Sequence, residues 1–307
     1  MPCGGRSPWR EPKRLVPVLA IVVLLAGSLA YAAFTVLAGN PSQAGTVPPA
    51  PPGWTTVFQD NFAGSAGAAP SVANWLYVIG TGYGNREVEH TTRSTQNVFV
   101  DGEGHLVIKA TRSAGQWKSG RIETTRDDFE APPGGELEMT ASIKLPSAAH
   151  ALGYWPAFWA LGSPIRTGSS WPAPGEIDMM EDINGLNAAS QTLHDAAGAT
   201  GHPPIACPIS RCLAGYHTYS VIISRAHARA EYLTFLIDGR VTEKITEAEV
   251  GATAWHKAID HGFYIILNLA MGGNYPNTTC DCETPTAATT SGASMRVGYV
   301  AVYENAG

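Results

Sequence analysis

Residues 135–145 read GELEMTASIKL, and the apolar side chains of this stretch fall on every second residue. Leu137, Met139, Ala141 and Ile143 alternate with polar neighbours, which is the period of a β-strand that buries one face. Similar short runs recur along the chain, separated by Gly, Asp-Gly and Pro. After residue 50 no long apolar run has the 3.6-residue period of an α-helix. The body of the protein is therefore predicted to be all-β.

Further strands are predicted on both sides of this one. NVFVDGEGHLVIKATR, residues 97–112, predicts a hairpin that turns over residues 101–104, and YLTFLIDGRVTEKI, residues 232–245, predicts a hairpin that turns at residues 238–239. Three more strands are TYSVIIS, FYIILNLAM and MRVGYVAVYE (residues 218–224, 263–271 and 295–304). Strands at this spacing, without helices between them, predict one domain of about 250 residues that forms a two-sheet antiparallel β-sandwich.

Composition and charge exclude several classes of function. The chain has 307 residues, of which 44% are hydrophobic and 15% are charged, so it is long enough for one large core and carries too little charge for a disordered chain. The formal net charge of -6 leaves no basic field that would hold a polyanion. We therefore expect no nucleic-acid partner, and we expect a monomer.

The N-terminal residues 1–39 are expected to be an export signal or a membrane anchor. Basic residues precede LVPVLAIVVLLAGSLAYAAFTVLAG, residues 15–39, a run without charge that is long enough to span a bilayer. The triplet Ala30-Tyr31-Ala32 offers a signal-peptidase site, so both interpretations stay open. Residues 40–53, NPSQAGTVPPAPPG, have the composition of an extended Pro-rich linker. Residues 54–307 are then the working domain, extracellular and either secreted or anchored to the cell membrane through residues 15–39.

Four cysteines fall in the working domain. Cys207, Cys212, Cys280 and Cys282 are an even number in an oxidising compartment, which predicts disulfides. CPISRC can close a small loop through Cys207 and Cys212, and CDC then pairs within itself or crosses over. Zinc is a further alternative, but zinc thiolates usually have about two to four residues between them, and CDC has a tighter spacing.

Residues 175–185, GEIDMMEDING, contain three carboxylates that do not fit one face of a regular strand. Glu176 and Asp178 share a face, but Glu181 lies an odd number of residues away and points to the other. A β-bulge would bring the three together if the two methionines before Glu181 opposed a single partner residue. Leaning side chains then narrow the gap between the two glutamates to about 5 Å, the separation that retaining glycosidases use.

Three carboxylates so close together cannot all ionise freely. At least one pKa must rise, and in this way a nucleophile and a proton donor are made from the same side-chain type. The alternatives are a solvated acidic strand and a calcium site. Tryptophans favour the catalytic interpretation, because GYWPAFWALG contains Trp155 and Trp159, and Trp171 shortly precedes the three carboxylates. A single tryptophan is more often a core residue, but this concentration is typical of sugar rings stacking along a cleft.

With these features the sequence resembles glycoside hydrolase family 16, the laminarinase and lichenase family, whose fold is a concanavalin-like β-jelly roll. GEIDMMED resembles the E-x-D-x-x-E active-site strand in its bulged version, which is typical of laminarinases and several algal-galactan hydrolases, whereas lichenases have the unbulged one. The resemblance covers residues 54 to 304 and extends to further stretches in the same order, namely GYGNREVEH, SGRIET, YWPAFWALG, TLH, NLAMGGNYP and MRVGYVAVYE.

The resemblance implies roles for individual residues. Glu176 would be the nucleophile and Glu181 the acid/base, with Asp178 tuning their protonation. Positions that match sugar contacts or supports of the carboxylates in the family, each with a structural alternative, are Asn85, Arg121, Trp155, Trp159, His194 and Asn268, and more weakly Glu89. The implied function is that of an exported, retaining endo-β-1,3-glucanase acting on a polysaccharide. Alternatives are another β-linked substrate (mixed-linkage glucan or galactan), transglycosylation, and sugar binding without catalysis.

The chain departs from the family pattern at a structural calcium site. Many members of the family that this chain resembles bind a structural calcium through an acid in an N-terminal DEF and an Asp before the YVRVY of the last strand. Here Asn61 stands in DNF and Gly298 stands in GYVAVY. A hard cation held by neutral oxygens alone would bind weakly, so we expect no metal and no cofactor, although Asp60 leaves a weaker site open. The chain also lacks the Trp that often follows HTY in the family.

Overall fold

The computed structural model describes residues 45–307. The export signal or anchor predicted for residues 1–39, and the first part of the linker, lie outside the described residues. Within residues 45–307, no helix is both long enough and apolar enough to cross a membrane.

Most of the described chain forms strands. Their bounds are β1 Thr55–Asp60, β2 Trp75–Tyr77, β3 Glu89–Thr91, β4 Val98–Val100, β5 Leu106–Lys109, β6 Thr111–Ser113, β7 Gln116–Ser119, β8 Arg121–Thr124, β9 Glu136–Lys144, β10 Tyr154–Gly162, β11 Glu176–Glu181, β12 Ala189–Asp195, β13 Gly198–Ile205, β14 Tyr216–Ser224, β15 Tyr232–Ile237, β16 Arg240–Thr246, β17 Phe263–Met271 and β18 Ser294–Asn305. The helices are α1 Glu247–Val250, α2 Ala252–Ile259 and α3 Asn274–Cys280, with a 3₁₀ helix at Ser163–Thr167.

Two large antiparallel sheets dominate the fold, as predicted. The eight-stranded sheet has the order β16-β15-β14-β9-β18-β5-β4, with β1 also paired to β18. The seven-stranded sheet has the order β13-β12-β11-β10-β17-β8-β2. A small third sheet, β3-β7-β6, contains a parallel pair and was not predicted. The class is therefore the expected two-sheet β-sandwich with one small addition.

The core lies between the two large sheets. In β9 the four alternating apolar side chains of the predicted strand are fully buried, and they belong to the same cluster as Phe158, Ile177 and Leu267 of the seven-stranded sheet. Both predicted hairpins are present, since β4 pairs with β5 and β15 pairs with β16. The second turns at Asp238 and Gly239, which both have positive φ.

The prediction of no helices between the strands is wrong after β16 and after β17. Thr246 begins α1 with a capping box that includes Glu249, and α2 buries Trp255, Ala258 and Ile259. One or two turns are too short to give the long 3.6-residue period by which a helix is detected in a sequence. Two short loops are closed by the disulfides Cys207–Cys212 and Cys280–Cys282, so the local pairing is confirmed over the crossed one.

The segment before β1 packs against the outer face of the eight-stranded sheet. Trp54, Tyr299 and Tyr303 form a buried cluster there, against which Val47 packs. The hydroxyl of Tyr303 also donates a 2.6 Å hydrogen bond to the carbonyl of Pro48. The later part of the Pro-rich segment therefore contacts the domain through side chains and backbone.

Candidate active site

A β-bulge in β11 brings the three carboxylates of the GEIDMMED stretch to one face of the seven-stranded sheet. Between Asp178 and Glu181 the strand holds Met179 and Met180, whereas the facing stretch of β12 holds only Gln191. The carboxylates consequently face every second residue of β12, in the pairs Glu176–His194, Asp178–Thr192 and Glu181–Ser190. The register with β10 shifts at the same place. The bulge predicted at the two methionines is confirmed.

The bulge also separates core side chains from the reactive ones. Met179 and Met180 are fully buried in the cluster between the sheets. Asp178 is buried on the opposite face, and Glu176 and Glu181 are half-buried. A substrate lying on this face can therefore reach the two glutamates, with Asp178 beneath it.

Each glutamate receives a hydrogen bond from a tryptophan. The indole Nε1 of Trp155, which is buried, donates to Oε1 of Glu181 over 2.8 Å. The indole Nε1 of Trp171 donates to Oε2 of Glu176 over 3.1 Å, while 56% of Trp171 is exposed. Trp171 thus combines a bond to a carboxylate with an open aromatic surface of the kind on which sugar rings stack.

His194 joins two of the carboxylates. Its Nε2 lies 3.1 Å from Oδ2 of Asp178 and 3.8 Å from Oε1 of Glu176. Its ring also packs beside Trp171, with the ring centroids 5.8 Å apart. These donor types would suit a metal ion as well, but the contact between an imidazole nitrogen and a carboxylate accounts for their arrangement without one.

Burial and mutual repulsion shift the acidity of the cluster. Burial, followed by the charge of Asp178, raises the pKa of Glu181 to about 8. Burial also raises the pKa of Asp178, and burial together with the neighbouring Asp178 raises the pKa of Glu176. The charge of His194 and the indole of Trp171 act in the opposite direction on the pKa of Glu176. The site therefore keeps protons near neutral pH, which a proton donor requires.

Besides Trp155 and His194, three further predicted substrate contacts lie on the same sheet as the carboxylates. Trp159 Nε1 donates a 2.7 Å hydrogen bond to Oδ1 of Asn268, which leaves the amide nitrogen of Asn268 free to donate. The guanidinium of Arg121 lies 4.9 Å from the ring centres of Trp159 and Tyr83 and forms a 3.0 Å ion pair with Glu123. The guanidinium of Arg121 thus contacts two aromatic rings and one carboxylate.

The last two predicted residues differ from each other. Asn85 is exposed, and its carbonyl accepts a 2.7 Å hydrogen bond from the backbone of Asn274. Gly273 lies between the Asn85 carbonyl and the ring of Trp155: a Cβ atom at this glycine would be 2.8 Å from the carbonyl and 3.5 Å from the ring. The loop that carries Asn85 therefore lies close to Trp155. Glu89 is buried, and its Oε2 accepts a 2.8 Å hydrogen bond from the backbone of Met271. That bond ties β3 to the end of β17, which is a structural role.

The structure adds residues that the sequence did not single out. Tyr275 of α3 packs edge-on against Trp155, with the ring centroids 5.7 Å apart. Its hydroxyl forms a 2.6 Å hydrogen bond with Ser190, the residue opposite Glu181. The only sequence signal was the position of Tyr275 within the NLAMGGNYP stretch. Trp171 had been noted for its position but not for its bond to Glu176.

Asp60 and Asn61, at the position where many family members bind calcium, form hydrogen bonds within the protein. Asp60 Oδ2 accepts from the side chains of Asn74 and Trp75, and its Oδ1 accepts from the backbone of Phe62. The side chain of Asn61 accepts from the backbone of Ala63. The side-chain oxygens of both residues therefore accept hydrogen bonds from neighbouring groups of the protein.

Comparison with known proteins identifies the family of this chain. A family model described as the XgeA-like catalytic GH16 domain matches residues 105–206. Beta-glucanase of Rhodothermus marinus is 30% identical over 240 residues, which cover 72% of this chain and 77% of that protein. The crystal structure of endo-1,3-beta-glucanase from Streptomyces sioyaensis superposes with a TM-score of 0.80 at 40% identity, over 85% of this chain and 100% of that one. The chain belongs to glycoside hydrolase family 16.

The chain aligns with only part of some of its relatives. Glucan endo-1,3-beta-glucosidase A1 of Niallia circulans is 32% identical over 288 residues. The alignment covers 83% of this family 16 chain but only 39% of that relative, so the chain spans well under half of its length.

Proposed function

We propose that this family 16 protein is an exported, retaining endo-β-1,3-glucanase that acts on laminarin-type polysaccharides. The observation that carries the proposal is the bulge in β11, which turns Glu176, Asp178 and Glu181 to one accessible face. The names of its relatives in Streptomyces sioyaensis and Niallia circulans support β-1,3-glucan as the substrate. The charge-free run at residues 15–39 supports export, with the domain secreted or membrane-anchored.

The first half of the proposed reaction uses one glutamate as nucleophile and the other as acid. An oxygen of Glu176 attacks the anomeric carbon, and the bond from that carbon to the glycosidic oxygen breaks. Glu181 gives its proton to the departing oxygen, which leaves as the hydroxyl of the released chain. The product is an ester between Glu176 and the sugar. The pKa values of Glu176 and Glu181 are both raised to about 8, so a proton is present in the site at neutral pH. The choice of Glu181 as its carrier rests on the resemblance of GEIDMMED to the active-site strand of the family.

The second half reverses the roles. The carboxylate of Glu181 takes a proton from water while the water oxygen attacks the anomeric carbon, and the ester bond to Glu176 breaks. Two inversions leave the configuration unchanged. Asp178, buried beside both groups and 3.1 Å from His194, stays protonated while Glu176 is charged, so that the nucleophile does not face a second anion.

Sugar rings would be held by the aromatic and amide groups on the same face. Trp171 offers an exposed ring beside Glu176, and Asn268 offers a free amide donor next to Trp159. No cofactor takes part in these steps, and the proposed partner is the polysaccharide alone, bound by a monomer.

Reducing-end release from a panel of polysaccharides tests this proposal. The purified full-length chain should cleave laminarin faster than mixed-linkage glucan, agarose or carrageenan, and Glu176→Gln should abolish turnover while laminarin binding persists. Activity confined to a galactan would show that the glucan assignment is wrong. Binding without turnover by the unchanged protein would identify a carbohydrate-binding protein, and products longer than a short β-1,3-glucan starting chain would identify a transglycosylase.

A further inference from the structure

We propose that Gln191 is a positioning residue for the reaction: together with Thr242, it fixes the bulge that holds Asp178 and Glu181 on one face. The kinetic consequences of this proposal rest on the proposed function. The structural part, that Gln191 stabilises the bulged register of β11, stands by itself.

Gln191 lies opposite the bulge but points away from the substrate face. Its neighbours in β12, Ser190 and Thr192, pair with Glu181 and Asp178 and therefore share the face of the carboxylates. Because side chains alternate along a strand, Gln191 enters the space between the two sheets. It is completely buried there. A buried amide side chain destabilises the folded state unless its polar groups form hydrogen bonds.

Both ends of the buried amide are paired, and each partner belongs to a different sheet. The Nε2 atom donates a 3.1 Å hydrogen bond to the carbonyl of Met179 in the bulge. The Oε1 atom accepts a 2.5 Å hydrogen bond from the hydroxyl of Thr242, which lies on β16 of the eight-stranded sheet. Gln191 thus connects the bulge in the seven-stranded sheet to Thr242 in the eight-stranded sheet.

The hydrogen bond to Met179 favours the bulge over a regular strand. A bulge interrupts the hydrogen-bond ladder at the additional residue, and a buried carbonyl left without a donor destabilises the folded state. Gln191 supplies that donor. A regular β11 would gain no such bond, and it would turn Glu181 to the core face, because a slip of one residue exchanges the two faces of a strand.

Positions in the active site depend on this choice of register. Asp178 and Glu181 lie on opposite sides of the bulge, so their separation changes if the bulge relaxes. The pKa of Glu181 depends in part on the charge of Asp178, and the reaction depends on the placement of Glu181 over the glycosidic oxygen. Loss of the amide should therefore change turnover and its pH dependence without removing any group that contacts the sugar.

The test compares Gln191→Met, which keeps the length of the side chain but loses the amide, with Asn97→Leu in the full-length protein. Asn97 is also buried, and its amide donates to the carbonyl of Lys109 and the hydroxyl of Thr111, both of which lie outside the sheet that contains β11. It controls for the loss of any buried amide. The measurements are the melting temperature, kcat and KM on laminarin over a range of pH, and hydrogen exchange of residues 178–181 by mass spectrometry.

In Gln191→Met we expect kcat to fall at least about tenfold with KM changed less than about twofold, because displacement of a catalytic group by about 1 Å has an effect of this order or larger. We also expect a shifted alkaline limb of the pH profile and faster exchange over residues 178–181. Asn97→Leu should lose melting temperature but keep the kcat and pH profile of the unchanged protein. If Gln191→Met loses only melting temperature, the proposal is overturned.

Two further outcomes are decided by the same measurements. If Gln191→Met does not fold, Thr242→Val, which frees the amide from its anchor, should show smaller changes in the same direction; an unchanged pH profile and unchanged exchange would overturn the proposal. If the unchanged protein does not turn over laminarin, the proposed function fails. Hydrogen exchange still tests Gln191 in that case, and equal exchange over residues 178–181 in both proteins would refute its role.

Discussion

Trp155 and Glu181 are joined by a hydrogen bond of 2.8 Å from the indole Nε1 to a carboxylate oxygen. An N–H donor stabilises the ionised form of a carboxyl group, so this bond opposes the rise that burial causes, and the resulting pKa of Glu181 is about 8. The pKa of the proposed acid is therefore set by effects that oppose each other, since burial and Asp178 raise it while Trp155 and His194 lower it, and the contribution of Trp155 can be removed by mutation.

Trp155→Phe should raise the pKa of Glu181 further, because the ring remains and only the N–H is lost. The alkaline limb of kcat/KM on laminarin reports the loss of the proton from the acid, and it should move to higher pH. The shift should be about one pH unit, as expected for roughly 1.5 kcal/mol from a hydrogen bond to a charged group.

Trp159→Phe is the matched control for this change. Its indole donates to Asn268 rather than to a carboxylate, so the alkaline limb should stay in place even if KM changes. Equal shifts in both variants would mean that the limb does not report Glu181.

Substitutions of Trp171 should separate the effect of its hydrogen bond to Glu176 from the effect of its exposed ring on sugar binding. Trp171→Phe keeps an exposed ring but loses the 3.1 Å bond to Glu176. The pKa of Glu176 should then rise, and the acid limb of kcat/KM, below which the nucleophile is protonated, should move to higher pH. Trp171→Ala also removes the stacking surface, and KM should rise in addition by about tenfold. An unchanged KM in Trp171→Ala would exclude sugar stacking on this ring.

Local periodicity was enough to predict the strands β4, β5, β9 and β14 to β18, and even the irregularity in β11. The alternation of β9 and the parity of Glu176, Asp178 and Glu181 are properties of neighbouring residues, and a strand expresses them directly. The parallel pair β3-β7 of the third sheet and the contact of Tyr275 with Ser190 join segments far apart in sequence. Such contacts depend on how the sheets pack, and no local pattern of the sequence specifies that packing.

Calcium should have little effect on the stability of the domain. Asp60 already accepts hydrogen bonds through both carboxylate oxygens, and Asn61 and Gly298 offer no charge. A ligand stabilises a protein only through its affinity for the folded state, so the melting temperature should be nearly the same in excess EDTA and in millimolar calcium. A calcium-dependent rise that Asp60→Asn abolishes would show that a cation site exists there.

Glu138 should make the stability of the domain depend on pH. It lies buried on β9, opposite Tyr303 of β18, and burial raises its pKa to about 7 from an ordinary value of 4.5. The folded state therefore binds this proton more tightly than the unfolded state. The contribution to stability is complete below about pH 4.5, declines as the pH rises, and is lost once the pH passes about 7.

Glu138→Gln removes this titration. Its melting temperature should exceed that of the unchanged protein at pH 8, where the buried carboxylate is charged, and the difference should shrink towards pH 5. A shift from 4.5 to about 7 corresponds to roughly 3 kcal/mol as an upper value. Glu138→Asp keeps a titratable group and should keep a pH-dependent melting temperature. Equal pH dependence in Glu138→Gln and in the unchanged protein, measured by calorimetry from pH 5 to 8, would mean that other groups are responsible.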